Sequence, residues 1–181
     1  MTKHLTKFLL VIALLIALAG VALVINRRFD QDLSSFAPAP APAPPNYTLI
    51  EPGLYIGGRV AALPPGVNAV LSLTPYPDDY TAPIFQWQPI ADAAPAPSLD
   101  WLRQQVQFID VQRRGGNTIF VHCEAGVSRS AMVCTAYFMW RNHWTRDQAL
   151  AYLRTTRPIV SPNNAFMDLL TEWEQSLRAN P

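Results

Sequence analysis

The sequence predicts an α/β domain with a central sheet flanked by helices, preceded by a single transmembrane helix and a Pro-rich linker. Three observations lead there. From about residue 46 onward, short β-rich runs alternate with stretches of helical periodicity. Residues 8–25 run for eighteen positions without a charge. Residues 37–45 read APAPAPAPP, with five prolines.

The uncharged run is FLLVIALLIALAGVALVI. At 1.5 Å per residue it spans about 27 Å, close to the ~30 Å hydrocarbon core of a bilayer. A helix pairs its own amides, so such a segment can cross lipid. Ala17-Leu18-Ala19 also fits a signal cleavage site, but the apolar run continues six residues past it to Asn26-Arg27-Arg28. The expectation is therefore an uncleaved anchor, over a cleaved signal or a buried helix. Lys3 and Lys7 before the span nearly balance Arg27 and Arg28 after it. The short head tips the orientation toward a cytoplasmic amino terminus and a periplasmic domain. Alternating Ala-Pro favours an extended spacer. The expected organisation is an anchor segment over 1–36, a linker over 37–45 and a globular domain over 46–181.

Within that domain, residues 67–74, VNAVLSLT, form a strand between Pro-Pro-Gly and Pro75. Residues 84–90 are a weaker strand, interrupted by Pro89. Ser98 caps a helix whose Leu99, Leu102, Val106 and Ile109 repeat at helical spacing, and Gly115-Gly116 ends it. Residues 118–121, TIFV, are a continuous apolar run of the buried-strand type. A helix follows from about 129 to 141. Thr145 and Gln148 make a capping box that opens another helix, stopped by Pro158. The last helix covers about 163–177, with Phe166, Leu169, Leu170 and Trp173 on one face.

Composition removes several function classes. The 181 residues suit one ordinary domain. A net charge of +1 lacks the basic excess of a nucleic-acid binder, so no nucleic-acid partner is expected. Cys123 and Cys134 are the two cysteines, too few for a disulfide scaffold, and no Cys/His cluster has zinc spacing. After residue 36 the chain carries ten Arg and no Lys, a composition typical of a GC-rich bacterial genome.

The segment with the strongest chemical signal is His122-Cys123-Glu124-Ala125-Gly126-Val127-Ser128-Arg129-Ser130. It lies between the TIFV strand and an apolar helix. Backbone N–H groups at a helix N-terminus, backed by the helix dipole, make an anion site. The same field favours the thiolate of Cys123, the nucleophilic form. Gly126 lets the backbone curl with amides inward. Arg129 can return over the loop and hold two phosphate oxygens. The nucleotide pattern GxxxxGK[ST] is absent.

HCEAGVSRS resembles the HCxxGxxR[ST] signature of the protein tyrosine phosphatase superfamily, in its dual-specificity form. Residues 54–57, LYIG, are similar to a strand near the start of such domains. VNAVLSLT is similar to the core strand after it, and residues 157–163, RPIVSPN, to the RPxxxPN segment behind the site. The resemblance covers about residues 47–178. It implies a central, mostly parallel sheet of four or five strands flanked by helices, and a phosphatase that uses a cysteinyl-phosphate without cofactor or metal.

The roles implied are these. Cys123 attacks phosphorus, while Arg129 and the amides of Glu124, Ala125, Gly126, Val127, Ser128 and Arg129 hold the phosphate. Ser130 donates to the departing thiolate, and His122 braces the loop. The family's general acid is an Asp on a loop upstream of the cysteine. Asp92, 31 residues before Cys123, fits, with Asp78 and Asp79 in the turn PYPDDY as weaker competitors. Asn163 is a helix cap or a brace of the loop, roles that are compatible. Cys134 reads as a core thiol, Asp100 as a helix first-turn acid, His143 as a surface residue. Glu124 should point away from phosphate if its amide points in. The expected substrate is a phosphorylated protein or a small phosphomonoester. A phosphatase of a singly phosphorylated lipid is the alternative, given the membrane anchor. A non-catalytic phosphate-binding module is disfavoured, because a pure binder needs neither Cys123 nor Asp92.

Overall fold

The computed structural model describes residues 16, 18–28 and 44–179. The chain divides into two units, residues 1–43 and 44–181. In the first, residues 18–28 are helical, and Leu18, Val21, Leu23, Val24 and Ile25 are exposed. No helix among the described residues is long and apolar enough to cross a membrane. Residues 8–15 and 17 of the expected span, and residues 37–43 of the linker, lie outside the described residues.

In the second unit the strands are β1 (Tyr47–Glu51), β2 (Leu54–Gly57), β3 (Ala69–Ser72), β4 (Ile84–Trp87) and β5 (Ile119–His122). The helices are α1 (Leu99–Arg114), α2 (Arg129–Asn142), α3 (Arg146–Thr156) and α4 (Asn164–Ala179). The sheet order is β1-β2-β5-β3-β4. β2, β5, β3 and β4 are mutually parallel, and β1 runs antiparallel at the edge. The sheet is thus mixed but mostly parallel. β1 is absent from the expected elements because YTLIE is half-exposed and lacks an apolar run. The strand expected over 84–90 stops at Trp87, ahead of Pro89.

β5 sits at the centre, and all four of its residues are buried, which is why it reads as an unbroken apolar run. Side chains alternate across a sheet. Leu54, Ile56, Ala69, Leu71, Ile119 and Val121 therefore share one core with buried residues of all four helices. Phe120 and His122 point to the other face, where their rings stack at 4.8 Å and Tyr47 meets Phe120 edge-on at 6.4 Å.

α2 is the inner helix. Its residues from Arg129 to Met139 are buried, and it touches α1, α3, α4, β2 and β5. An apolar surface all round is the mark of such a helix. α4 covers it with Phe166, Leu169, Leu170 and Trp173, and Trp173 Nε1 donates to Ala136 O at 3.1 Å. The helix ends follow their capping signals. Ser98 accepts from Trp101 N, and Thr145 and Gln148 form the reciprocal capping box. Cys134 lies inside this core, and burial pushes its thiol far above the ordinary value. The core-thiol reading holds.

Candidate active site

β5 ends at His122 and α2 begins at Arg129, so residues 123–128 form the loop at the carboxyl end of the central strand. Ligands of parallel sheets bind at this end. The loop packs against the glycine pair after β2. Gly126 has φ +71, and a Cβ there would stand 2.4 Å from Gly57 C and Gly58 N. Only glycine satisfies both the left-handed backbone and this close approach. Cys123 N donates to Gly57 O at 3.2 Å, which fixes the loop's entry.

The loop carbonyls are all bonded outward. Glu124 O accepts from Arg59 N (2.9 Å), Val127 O from Ser161 N (2.9 Å) and Ser128 O from Met132 N (2.9 Å). Ala125 O and Gly126 O accept from the Arg157 guanidinium at 3.4 and 2.8 Å. In a trans peptide the C=O and the following N–H point opposite ways. The amides of residues 125–129 are thereby turned inward. Gly126 N donates to Cys123 Sγ at 3.3 Å, and among the described residues the amides of Ala125, Val127, Ser128 and Arg129 take no protein acceptor.

The expected side chains converge on this curl. Ser130 Oγ lies 3.4 Å from Cys123 Sγ and 3.2 Å from Gly57 O. Arg129 folds back, its Nη1 donating to Leu73 O and Ile90 O at 3.3 Å each. Its Nε is a buried donor with no hydrogen-bond partner, 3.6 Å from Asp92 Oδ2. Asp92 Oδ1 accepts from Ser128 Oγ (2.6 Å) and Asn163 Nδ2 (2.8 Å), leaving Oδ2 toward Arg129. Asn163 holds both expected roles, since its Oδ1 also caps α4 at Phe166 N. The Glu124 side chain points out, 3.3 Å from Arg59 Nε.

His122 is fully buried beneath the loop. Its Nδ1 is 3.4 Å from Cys123 O, and its Nε2 is 2.8 Å from Tyr80 Oη and 3.2 Å from Asp78 Oδ2. Burial holds the imidazole below the ordinary histidine value, against an opposing pull from Asp78. Asp78, a weaker competitor to Asp92, lies beneath the sheet end beside His122. Its side chain is wholly buried, accepts from Ser72 Oγ at 2.6 Å, and lies 3.5 Å from Arg59 Nη1. Burial, with Asp78 beside it, pushes the Tyr80 phenol far up. Asp79 is exposed. Sequence reasoning named Asp78 only as a weaker candidate acid and gave no role to Tyr80, Arg59 or Arg157. The RPIVSPN segment pointed to the last, but nothing in composition marks which residue of a polar turn folds under a sheet.

A family profile described as the dual specificity phosphatase catalytic domain matches residues 66–176. The chain is 33% identical over 138 residues to dual specificity protein phosphatase 1-A of Xenopus laevis, covering 72% of this chain and 37% of that protein. It is 32% identical over 138 residues to dual specificity protein phosphatase 1 of Homo sapiens, covering 72% of this chain and 38% of that protein. The chain therefore spans well under half the length of these relatives. Among solved structures, a mouse putative dual specificity phosphatase complexed with zinc tungstate superposes with a TM-score of 0.71 at 28% identity. The match covers 79% of this chain and 95% of that one.

The buried imidazole has a consequence for stability. A histidine held below its unfolded value of about 6.5 leaves the unfolded state binding more protons. His122 therefore contributes stability above that value, and the contribution fades as pH falls through its lowered folded value. The urea midpoint of the wild type should drop between about pH 7.5 and about pH 5.5. His122→Gln should lose part of that slope, and an unchanged slope would refute the buried neutral imidazole.

Proposed function

Because the chain belongs to the dual specificity phosphatase family, a branch of the protein tyrosine phosphatase superfamily, we propose that it hydrolyses phosphomonoesters through a cysteinyl-phosphate. Phosphorylated protein side chains, phosphotyrosine included, are the substrates this reading favours. One observation carries it. Cys123 Sγ accepts from an inward loop amide, the other loop amides turn the same way, and the buried Arg129 Nε, without a hydrogen bond, lies beside an Asp92 braced across the loop. A buried donor without a partner is satisfied by an anion's oxygen.

In this reading the Cys123 thiolate attacks phosphorus in line, forming an S–P bond as the ester P–O bond breaks. Asp92 Oδ2 gives its proton to the leaving oxygen, while Oδ1 stays fixed by Ser128 and Asn163. The amides of Glu124 through Arg129 and the Arg129 guanidinium hold the equatorial oxygens, where the charge sits. Water then attacks phosphorus, Asp92 takes its proton, and the thiolate leaves. Ser130 Oγ, 3.4 Å from that sulfur, can turn its one proton from Gly57 O to the departing thiolate. His122 orients the Cys123 carbonyl and is not the base.

The lipid alternative is tested with the same protein. An acidic Glu124 beside the loop repels polyanionic head groups, but its pairing with Arg59 blunts that repulsion. A panel of an aryl phosphate, a phosphotyrosyl peptide and phosphatidylinositol monophosphate ranks the classes. Asp92→Asn should slow esters with poor leaving groups about a hundredfold or more, and activated aryl esters far less. A wild type inert toward all three would overturn the reading. A mutant slowed equally on every leaving group would remove Asp92 as the acid.

We further propose that residues 8–25 anchor the protein in a membrane, with the domain on the periplasmic side of a bacterial inner membrane. The uncharged run and the exposed apolar side chains over residues 18–28 support an anchor. The full chain should sediment with membranes and resist carbonate extraction. An alkaline phosphatase fusion after Pro181 should be active. Release by carbonate, or a mature chain beginning near Gly20, would refute the anchor, and a silent fusion that still expresses would refute the orientation.

A further inference from the structure

Resting on the phosphatase reading of this loop, we propose that Arg157 and Asn46 are positioning residues of the phosphate site. Arg157 fixes the direction of two loop amides, and Asn46 fixes Arg157.

Arg157 follows α3 and is buried, with 6% of its surface exposed. Its Nε donates to Gly126 O at 2.8 Å, and its Nη2 reaches Ala125 O at 3.4 Å. The guanidinium lies flush against the loop, since a Cβ on Gly126 would stand 2.5 Å from Nη2. Through the rigid peptide plane, the Ala125 carbonyl sets the Gly126 N–H, and the Gly126 carbonyl sets the Val127 N–H. The first of these amides is the one that points at Cys123 Sγ. Arg157 thus acts on the anion side of the loop from its outer side, without touching substrate.

A buried guanidinium ordinarily has a carboxylate partner. Among the described residues Arg157 has none; its remaining donors go to Asn46 Oδ1 at 2.7 Å and Thr48 Oγ1 at 3.2 Å. Burial pulls Arg157 below its ordinary value, and Cys123 opposes that pull. Neutral acceptors, the two loop carbonyls with Asn46 and Thr48, therefore hold the cation in place. Asn46 is the shortest of these contacts. It is the first residue after the Ala-Pro run, and its main-chain carbonyl accepts from Gly58 N at 2.9 Å. The same residue thus holds both the glycine pair on which the loop rests and the guanidinium that orients the loop.

The test uses the full chain, with inorganic phosphate binding read by calorimetry and turnover read on an aryl phosphate. Asn46→Leu removes the acceptor and should weaken phosphate binding about tenfold, the scale of one charged hydrogen bond. The loop holds phosphate in the ground state and the charged oxygens in the transition state, so KM should rise and kcat/KM should fall by at least that factor, whereas a smaller folded fraction would lower kcat and leave KM and the measured phosphate affinity unchanged. Asn46→Asp keeps an acceptor and should restore what Asn46→Leu loses. Arg157→Lys, a single ammonium that cannot span two carbonyls, should weaken binding as well and carries the test if Asn46→Leu does not fold. Either variant, folded and binding phosphate within about twofold of wild type, overturns the proposal. A wild type that binds phosphate without turnover would refute the phosphatase reading alone, and the affinity comparison would still decide the clamp.

Discussion

A peptide group carries its N–H and its C=O on opposite edges of one rigid plane, and the proposed phosphate site depends on that constraint. Amides cannot be gathered around an anion unless the carbonyls before them are disposed of on the outside. Here each carbonyl from Glu124 to Ser128 has a donor waiting for it. The donors come from separate places in the chain: Arg59 after β2, Arg157 after α3, Ser161 before α4, and Met132 in α2. The fold brings these four segments to the carboxyl end of β5, and the loop's shape is their joint product. Gly126 and the Gly57-Gly58 pair complete it, because a Cβ at any of the three would strike neighbouring backbone.

The layer beneath the loop explains why β5 ends in a buried histidine. His122 lies on the face of the sheet away from the helices, stacked on Phe120 and bonded to Tyr80, with Asp78 alongside. Asp78 is tied in turn to Ser72 and Arg59, and Arg59 reaches Glu124 at the rim. The β3–β4 loop is thereby joined to the signature loop both from below and from the side. Above, Asn163 donates to Asp92 and caps α4, so the expected acid is tied to the start of that helix. The site is a junction of loops held by short polar contacts on a rigid sheet.

Much of this was legible in the sequence, for identifiable reasons. TIFV reads as a central strand because burial on both faces leaves no polar position, and the Ser98 and Thr145 caps mark helix starts through local chemistry alone. Cys123, Arg129 and Ser130 stand in one contiguous segment whose spacing is set by a single turn into a helix. β1 was not legible, because an edge strand with one wet face carries a weak pattern. The burial of Asp78 was not legible for a different reason. PYPDDY has the composition of a solvated turn, and nothing local says that its first Asp folds under the sheet while its second stays in water. Partners 44 to 111 residues apart, such as Asp78 with His122 and Asn46 with Arg157, are set by topology and not by local pattern.

The central claim is that Cys123 forms a covalent bond to phosphorus. The most direct measurement is a rapid denaturing quench of the full chain during turnover of an aryl phosphate, followed by mass spectrometry of the peptide containing Cys123. The account predicts a phosphoryl adduct on Cys123 that appears and decays with turnover, and neither adduct nor turnover in Cys123→Ser, which still binds phosphate through the loop amides and Arg129. Turnover by Cys123→Ser, or a wild type that turns over while Cys123 stays unmodified at every quench time, would contradict it.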